Sequence, residues 1–401
     1  MTIDADKPDL TRPTAEGLRG RTRTRPLDGL TVKGLRGQPV RDIPPADPAA
    51  GPLVTVIVPA YNASRTIVET LSSIRAQTHR HLEILVVDDG SVDRTAALVK
   101  AEAQADPRLR LIRQPNGGVA HARNAALWQA KGAFVAWIDA DDLWHPEKIA
   151  RQLAVFEREE QRPLLVYTGY RLIDASSRVV ENHRPLTDVS GHTLCTQIAT
   201  NFFSNVSSIM VPTEVARAVG GHDPQLRRAG LEGAEDLLMQ LRLAARGAVS
   251  CCPSALVGYR MHDGNMSLQV ARTAGSNIRA IDLVAAEVPD LPHWVSRLGR
   301  ARVVGYVFFL LRGGHVRQAL TLFWQIAWRQ PVETLVMMFR IIAHLAFSRQ
   351  VGDPALGQRF AQANPDSAIW GDLMLFGKRM RRRLRQADAA VAVRTKVKVN
   401  A

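Results

Sequence analysis

The chain has little of what would mark a disulfide framework or a metal-binding cysteine cluster. Its three cysteines are Cys195 and the adjacent pair Cys251-Cys252, with no CxxC spacing. A reduced, cytosolic chain is the default for such a pattern. The opening residues MTIDADKPDL have no apolar h-region, so no secretory signal is expected. No apolar run approaches the ~18–20 residues that span a bilayer. Val303–Leu311 is too short, and Glu333 and Arg340 interrupt the stretch after Pro331, which predicts a protein that is not integral. Internal repeats and low-complexity tracts are also missing. The absence of G-x-G-x-x-G after the first strand-like run argues against a dinucleotide-dependent dehydrogenase, and the absence of G-x-x-x-x-G-K-[ST] against a P-loop enzyme.

What is present is a chain of 401 residues, 46% hydrophobic, with room for two or three domains or one large domain with an appended region. The formal net charge is +14, but its placement matters more than its sum. Between Lys378 and Lys398 nine Lys or Arg face the single Asp388, so this short stretch supplies net +8. The expected organisation is a flexible leader over 1–50, ended by Pro44, Pro45, Pro48 and Pro52; a catalytic domain over 51–270; a helical region over 271–350; and a basic, partly disordered tail over 351–401. Within 51–270 the pattern is regular over 51–142 and mixed over 143–270.

From Leu53 onward the pattern alternates. Val54–Val58, Leu82–Val87, Leu109–Arg113 and Ala133–Ile138 are strand-like, whereas Ser64–Gln77, Asp93–Ala105 and Gly118–Ala130 have helical spacing. Repeated βαβ units predict a mostly parallel sheet flanked by helices. Farther on, the spacing predicts a helix over Pro146–Glu160, strands over Leu164–Ile173 and Val206–Val211, and a helix over Glu235–Arg246, with a poorly periodic stretch up to Asn205. Ligands of such sheets bind beyond the carboxyl ends of the strands. Those positions hold Pro59-Ala60-Tyr61-Asn62, Asp88-Asp89-Gly90-Ser91, Gln114-Pro115-Asn116-Gly117-Gly118 and Asp139-Ala140-Asp141-Asp142.

This chemistry suits a nucleotide sugar. Cleaving a sugar–diphosphate bond leaves negative charge that a divalent cation neutralises. Magnesium and manganese need few protein carboxylates when substrate phosphates supply other ligands. An acceptor hydroxyl needs a base within reach, presented from another element.

The segments VTVIVPAYNA (54–63), ILVVDDGSVDRT (84–95), NGGVAHARNAAL (116–127) and AFVAWIDADDLWHPEKI (133–149) together resemble the successive motifs of the family 2 glycosyltransferases, which have the GT-A fold. GAEDLLMQLRL (233–243) is similar to that family's ED motif, and YRMHDGNMS (259–267) to its closing YRxHxxxxS segment. The resemblance covers about residues 53–268 and implies an inverting single displacement from a nucleoside-diphosphate sugar, UDP-linked by expectation, with Mg²⁺ or Mn²⁺. It implies that Pro59 and Tyr61 shape the nucleotide cleft and that Asp89, or its neighbour Asp88, binds the base. It also implies that 51–142 is the nucleotide-binding half and 143–270 the acceptor-binding half, with Asn116, Arg123 and Asn124 lining the nucleotide side. Asp139 would lie near the ribose and diphosphate and, with Asp141, toward the metal; His262 would lie near the diphosphate or metal, and Asp236 would be the general base. The acceptor would be a glycan or lipid-linked hydroxyl in bacterial surface polysaccharide or glycolipid assembly.

Plainer readings of the same residues stand beside these. Asp89-Gly90 is a common turn; Asp141 or Asp142 would favour the start of the helix begun near Pro146. Glu235 and Asp236 could do the same for their helix, His262 could sit in a turn, and Asn116-Gly117-Gly118 could be a helix entry. Cys251-Cys252 reads as strand. Leu320, Phe323, Trp324 and Trp328 read as a core stripe, and Lys378–Arg385 as a solvated face or frayed end. A sugar nucleotidyltransferase is the competing enzyme, lacking here its Gly-rich, Arg- and Lys-bearing first loop. A degenerate scaffold is the non-enzymatic alternative. Amphipathic helices between 293 and 348 with the basic tail predict a surface for anionic lipid on the inner face of the plasma membrane. Nucleic acid is not expected, since the tail lacks interleaved aromatics.

Overall fold

In a computed structural model of the chain, residues 51–158, 162–180, 188–203, 205–262, 270–347, 354–367 and 376–400 are described. The expected leader over 1–50 and residues 263–267 of the closing motif lie outside them. The first half alternates as its sequence does: β1 (Val54–Ala60), α1 (Ile67–Arg75), β2 (Leu82–Asp88), α2 (Thr95–Ala105), β3 (Leu109–Arg113), α3 (Val119–Leu127) and β4 (Phe134–Trp137). Then come β5 (Leu143–Trp144), α4 (Lys148–Arg158), β6 (Leu165–Ile173), α5 (Leu194–Thr200), β7 (Ile209–Pro212), α6 (Thr213–Ala218), α7 (Gln225–Arg228), α8 (Glu235–Arg246) and β8 (Val249–Arg260). Helices complete the chain: α9 (Val270–Glu287), α10 (His293–Arg302), α11 (Gly305–Arg312), α12 (Val316–Ala327), α13 (Pro331–Phe347) and α14 (Lys378–Asn400).

The strands form one eight-stranded sheet in the order β3-β2-β1-β4-β7-β6-β8-β5. β1 pairs parallel with β2 and β4, β2 with β3, and β6 with β8, while β7 runs antiparallel to β4 and β6. The parallel pairing brings the loops after β1, β2 and β4 to one edge. β1 is buried on both faces, as a central parallel strand must be. Val54, Val56 and Val58 face Ile67, Leu71 and Ile74 of α1, whereas Ile57 joins Ala122, Ala126 and Leu127 of α3 on the other side. The i, i+3, i+4, i+7 spacing of the buried α1 positions Ile67, Thr70, Leu71 and Ile74 explains why that segment is a helix.

A separate core joins α5, α8 and helices α9 to α14. Four expectations change here. The stretch before Asn205 contains α5, which its short period hid. Val206–Ser208 is a 3-10 turn, and strand begins only at Ile209. Of the two readings of Lys378–Arg385, the frayed end gives way to the solvated face: the run opens α14 with Lys378, Arg379, Arg382, Arg383 and Arg385 exposed, while Leu384, Ala387 and Val391 are buried. Asp388 of α14 accepts the Cys195 backbone N–H and the Thr196 hydroxyl, both at 2.6 Å, capping the start of α5 from a distant part of the chain. Finally, Leu320, Trp324 and Trp328 are exposed, and only Phe323 of the expected core stripe is partly buried, because α12 packs inward through Ala319, Leu322 and Ile326. Cys251 and Cys252 lie in β8 as expected, and all three cysteines are buried and free. No helix of the described residues is long and apolar enough to cross a membrane.

Candidate active site

The loop after β1 is fixed by the loop after β2. Asn62 has a left-handed backbone, with φ 49°. Its N–H donates to the Ser91 hydroxyl at 2.9 Å, and its Oδ1 accepts the Val92 N–H at 3.0 Å. This leaves Tyr61 half exposed at the sheet edge beside buried Pro59.

The two acids ending β2 are committed to the protein. Asp88 accepts from the Ser91 N–H and from Arg113 Nε, both at 3.1 Å. Asp89 accepts the backbone N–H groups of Gly117 and Gly118, each at 2.8 Å, and Gln114 Nε2 at 2.7 Å. The Asn116 amide returns a bond to the Asp89 carbonyl at 3.0 Å, while its Oδ1 accepts from Arg227 at 2.7 Å. Gly90 must be glycine: φ is +77°, and a Cβ would sit 2.8 Å from the Asn116 nitrogen. Asp89 therefore shapes the loop entering α3, whatever else it does.

On α3, buried Arg123 reaches across β4. Its Nη2 donates to Asp139 at 2.6 Å. Asn124 points elsewhere, bracketing His222 through its amide nitrogen to the carbonyl at 2.6 Å and its oxygen to the N–H at 2.9 Å.

The three acids after β4 diverge. Asp139 is partly exposed and held by Arg123. Asp141, also partly exposed, meets His262 Nε2 at 2.8 Å. Burial, followed by the charge of Asp139, pushes the Asp141 carboxyl above the usual range. Asp142 is fully buried. Its Oδ1 accepts the Arg260 N–H at 3.1 Å and its Oδ2 the Ser207 hydroxyl at 2.5 Å. It thus joins β8 to the turn before β7, which corrects the expectation that it starts the next helix; α4 begins only at Lys148. The buried Arg260 guanidinium completes the brace, donating to the Asp141 carbonyl at 2.7 Å and to Glu69 at 2.7 Å. Ser207, Arg260 and Glu69 were missed in the sequence. Arg260 stands in the YRMH segment, two residues before His262, and that was the one signal of it.

Asp236 stands in the first turn of α8. Burial pushes its carboxyl up to about 6, against the opposing charge of Arg123, with Glu235 and Asp139 adding to the rise. Arg123 therefore lies within electrostatic reach of Asp139, Asp236 and Glu235 at once. Around it, Arg123 Nε, Trp137 Nε1, both nitrogens of buried His222 and Glu235 Oε1 have no hydrogen-bond partner among the described residues.

Among the described residues no three or more His, Cys, Asp or Glu side chains are grouped to hold a metal. Asp141 and His262 do meet at hydrogen-bond distance in a partly exposed place, a donor pair that fits a hard cation sharing its other positions with phosphate oxygens.

Comparison with known proteins bears on the same segments. The profile described as Glycosyl transferase family 2 matches residues 55–185. An uncharacterized glycosyltransferase of Rickettsia typhi is 29% identical over 178 residues, 44% of this chain and 55% of that protein. TuaG of Bacillus subtilis, assigned to teichuronic acid biosynthesis, is 39% identical over 123 residues, 30% of this chain and 48% of that protein. Chondroitin synthase of Escherichia coli is 35% identical over 131 residues, 33% of this chain but 19% of that enzyme. The matches thus span about half the length of the first two relatives and far less of the third. Among solved structures, S. aureus TarS 1–349 in complex with UDP-GlcNAc superposes with a TM-score of 0.51 at 21% identity, covering 74% of this chain and 87% of that one. Residues 55–185 therefore match glycosyltransferase family 2, and the mixed sheet with its flanking helices has the GT-A fold.

Proposed function

We propose that the chain is an inverting glycosyltransferase that moves a sugar from a nucleoside-diphosphate donor to a hydroxyl of a glycan or lipid-linked acceptor. The observation that carries this reading is the approach of Asp236 on α8 to Arg123 and Asp139, two residues before the Asp141 that meets His262. A carboxyl with a pKa near 6 is ionised at neutral pH yet basic enough to accept a proton during attack.

The acceptor oxygen forms its bond to the anomeric carbon on the face opposite the leaving group. The bond from that carbon to the diphosphate oxygen breaks, and the electron pair leaves with the phosphate. The acceptor proton passes to an Asp236 carboxylate oxygen. Arg123 orients Asp139 toward ribose and diphosphate and lowers the cost of ionising Asp236. Asp141 and His262 would hold Mg²⁺ or Mn²⁺, which supplies charge neutralisation for the departing diphosphate. Pro59 and Tyr61 would border the nucleotide, and Asp89 would bind its base through the loop it already organises.

UDP is the first donor nucleotide to test, since the TarS complex contains UDP-GlcNAc. The teichuronic acid and chondroitin assignments of TuaG and chondroitin synthase support assembly of a bacterial surface polysaccharide or glycolipid. An acceptor on a lipid anchor would bring the chain to the inner face of the plasma membrane.

The test is a panel of nucleotide sugars assayed for transfer and hydrolysis with Mn²⁺, Mg²⁺ or EDTA, alongside thermal stabilisation by each nucleotide. Turnover of one donor with metal is expected. Failure to bind any nucleoside diphosphate and to turn over any donor would overturn the reading.

A further inference from the structure

The helical hairpin α12–α13 is amphipathic in an unusual sense, since its outward sides are apolar. On α12, Val316, Leu320, Trp324 and Trp328 recur every four residues along one exposed face. On α13, Val332, Leu335, Phe339 and Ile342, spaced three and four apart, form a second exposed face. The opposite sides, carrying Ala319, Leu322, Ile326 and Met337, enter one core, so the two apolar stripes share the outer surface of the hairpin. Trp324, Phe339 and Trp328 are 62%, 76% and 86% exposed. Those three rings alone present on the order of 400 Å². With their aliphatic neighbours they exceed the largest patch that a typical monomer leaves in water, roughly 300–600 Å².

The charge around this face has one sign. Between Gly305 and Phe347 the sequence holds four arginines and one acid, Glu333. Glu333 is turned to Arg297 of α10, with two contacts at 2.9 Å, whereas Arg317 and Arg329 are exposed beside the apolar stripes. The cationic border continues into α14. Arg340 of α13 lies 4.9 Å over the Phe376 ring, two residues before Lys378, and Lys378, Arg379, Arg382 and Arg385 are exposed.

We propose that this face docks on an anionic lipid surface, lying in the interfacial plane with Trp324, Trp328 and Phe339 among the acyl chains and the arginines at the headgroup phosphates. The inference rests on the lipid-linked acceptor of the proposed function for its purpose, but not for its observations. Self-association through the same patch would set arginine borders against one another in a two-fold dimer, which charge complementarity disfavours. Docking is by this hairpin with the start of α14, rather than by a detachable basic tail. Because α14 is built into the core, point substitutions replace truncation as the probe.

The test is flotation of the full chain with vesicles of phosphatidylcholine, with and without phosphatidylglycerol, at low and high salt. Binding to the phosphatidylglycerol vesicles is expected, falling with salt. The triple substitution Trp324→Ser, Trp328→Ser, Phe339→Ser should weaken it about tenfold or more, and Lys378→Glu with Arg382→Glu by a similar factor. Unchanged circular dichroism and melting temperature would show that these exposed positions left the fold intact. The proposal is overturned if the wild type stays unbound, if the triple variant floats like wild type, or if ultracentrifugation shows a dimer that the triple variant dissolves. Nucleotide-induced thermal stabilisation, read on the same samples, separates this outcome from failure of the transferase reading: loss of nucleotide binding with vesicle binding intact would sink only the latter.

Discussion

Two acidic segments close the strands that flank β1 in the sheet, Asp88-Asp89 at the end of β2 and Asp139-Ala140-Asp141-Asp142 after β4, and the protein uses them differently. In the first loop both carboxylates are buried under protein donors, including two backbone N–H groups that enter α3. In the second, Asp142 alone is spent in this way, while Asp139 and Asp141 stay partly exposed and each meets one side chain, Arg123 or His262. Acids of similar sequence context thus divide into those buried in shaping the rim and those left partly exposed. What separates them is the number of donors that the tertiary structure aims at each.

The comparison can be broken most directly at its catalytic end. Asp236→Asn should lower transfer by about 10²–10⁴-fold while leaving nucleotide-induced stabilisation in place, because the base acts on the acceptor. Full transfer activity in that variant would mean that the base lies elsewhere. The wild-type rate should rise as pH passes through about 6, where Asp236 ionises, and then level off. A profile flat from pH 5 to 8 under the same assay, a range of about one unit below to two above, would contradict that assignment.

Asp141→Asn sharpens the contrast. Its folded pKa lies above the ordinary value, so at neutral pH the ionised form costs stability in the fold and the amide removes that cost. The variant should lose roughly 10²-fold or more in metal-supported turnover, with a melting temperature equal to or above wild type. Asp142→Ala should do the reverse of that stability effect. It strands the Arg260 N–H and the Ser207 hydroxyl, and a loss of about 3 kcal/mol in denaturant unfolding is expected. Asp89→Ala should cost about 2 kcal/mol by unpairing the Gly117 and Gly118 amides. The smallest effect is expected far from both loops: Asp388→Ala removes the cap of α5 and should cost about 1 kcal/mol.

Much of the first half was legible because its signals are local. β-branched runs alternating with i, i+3, i+4 spacing suffice to indicate βαβ units, and β1, α1, β2, α2, β3, α3 and β4 appear in that order with ends shifted by a few residues. The candidate residues were legible in part, since position at a strand's carboxyl end marks a residue for the rim without saying which way it points. Asn124 shows the gap: it sits on the expected helix, yet its amide is spent on the His222 backbone, 98 residues away. The outward face of α12 shows another, because helical spacing of Leu320, Trp324 and Trp328 states that they share a side and not whether that side meets protein.

By itself the sequence determined the alternating first half, the order of its motifs and the run of charge at α14, since periodicity and composition act over a few residues. Tertiary structure decided which acid is framework and which stays partly exposed, and it seated one face of the basic tail helix on the core. It also brought Asp236 within electrostatic reach of Arg123 and left the hairpin's rings outside. Each of those outcomes depends on partners far apart in the chain, whose meeting is fixed by how the sheet and helices pack.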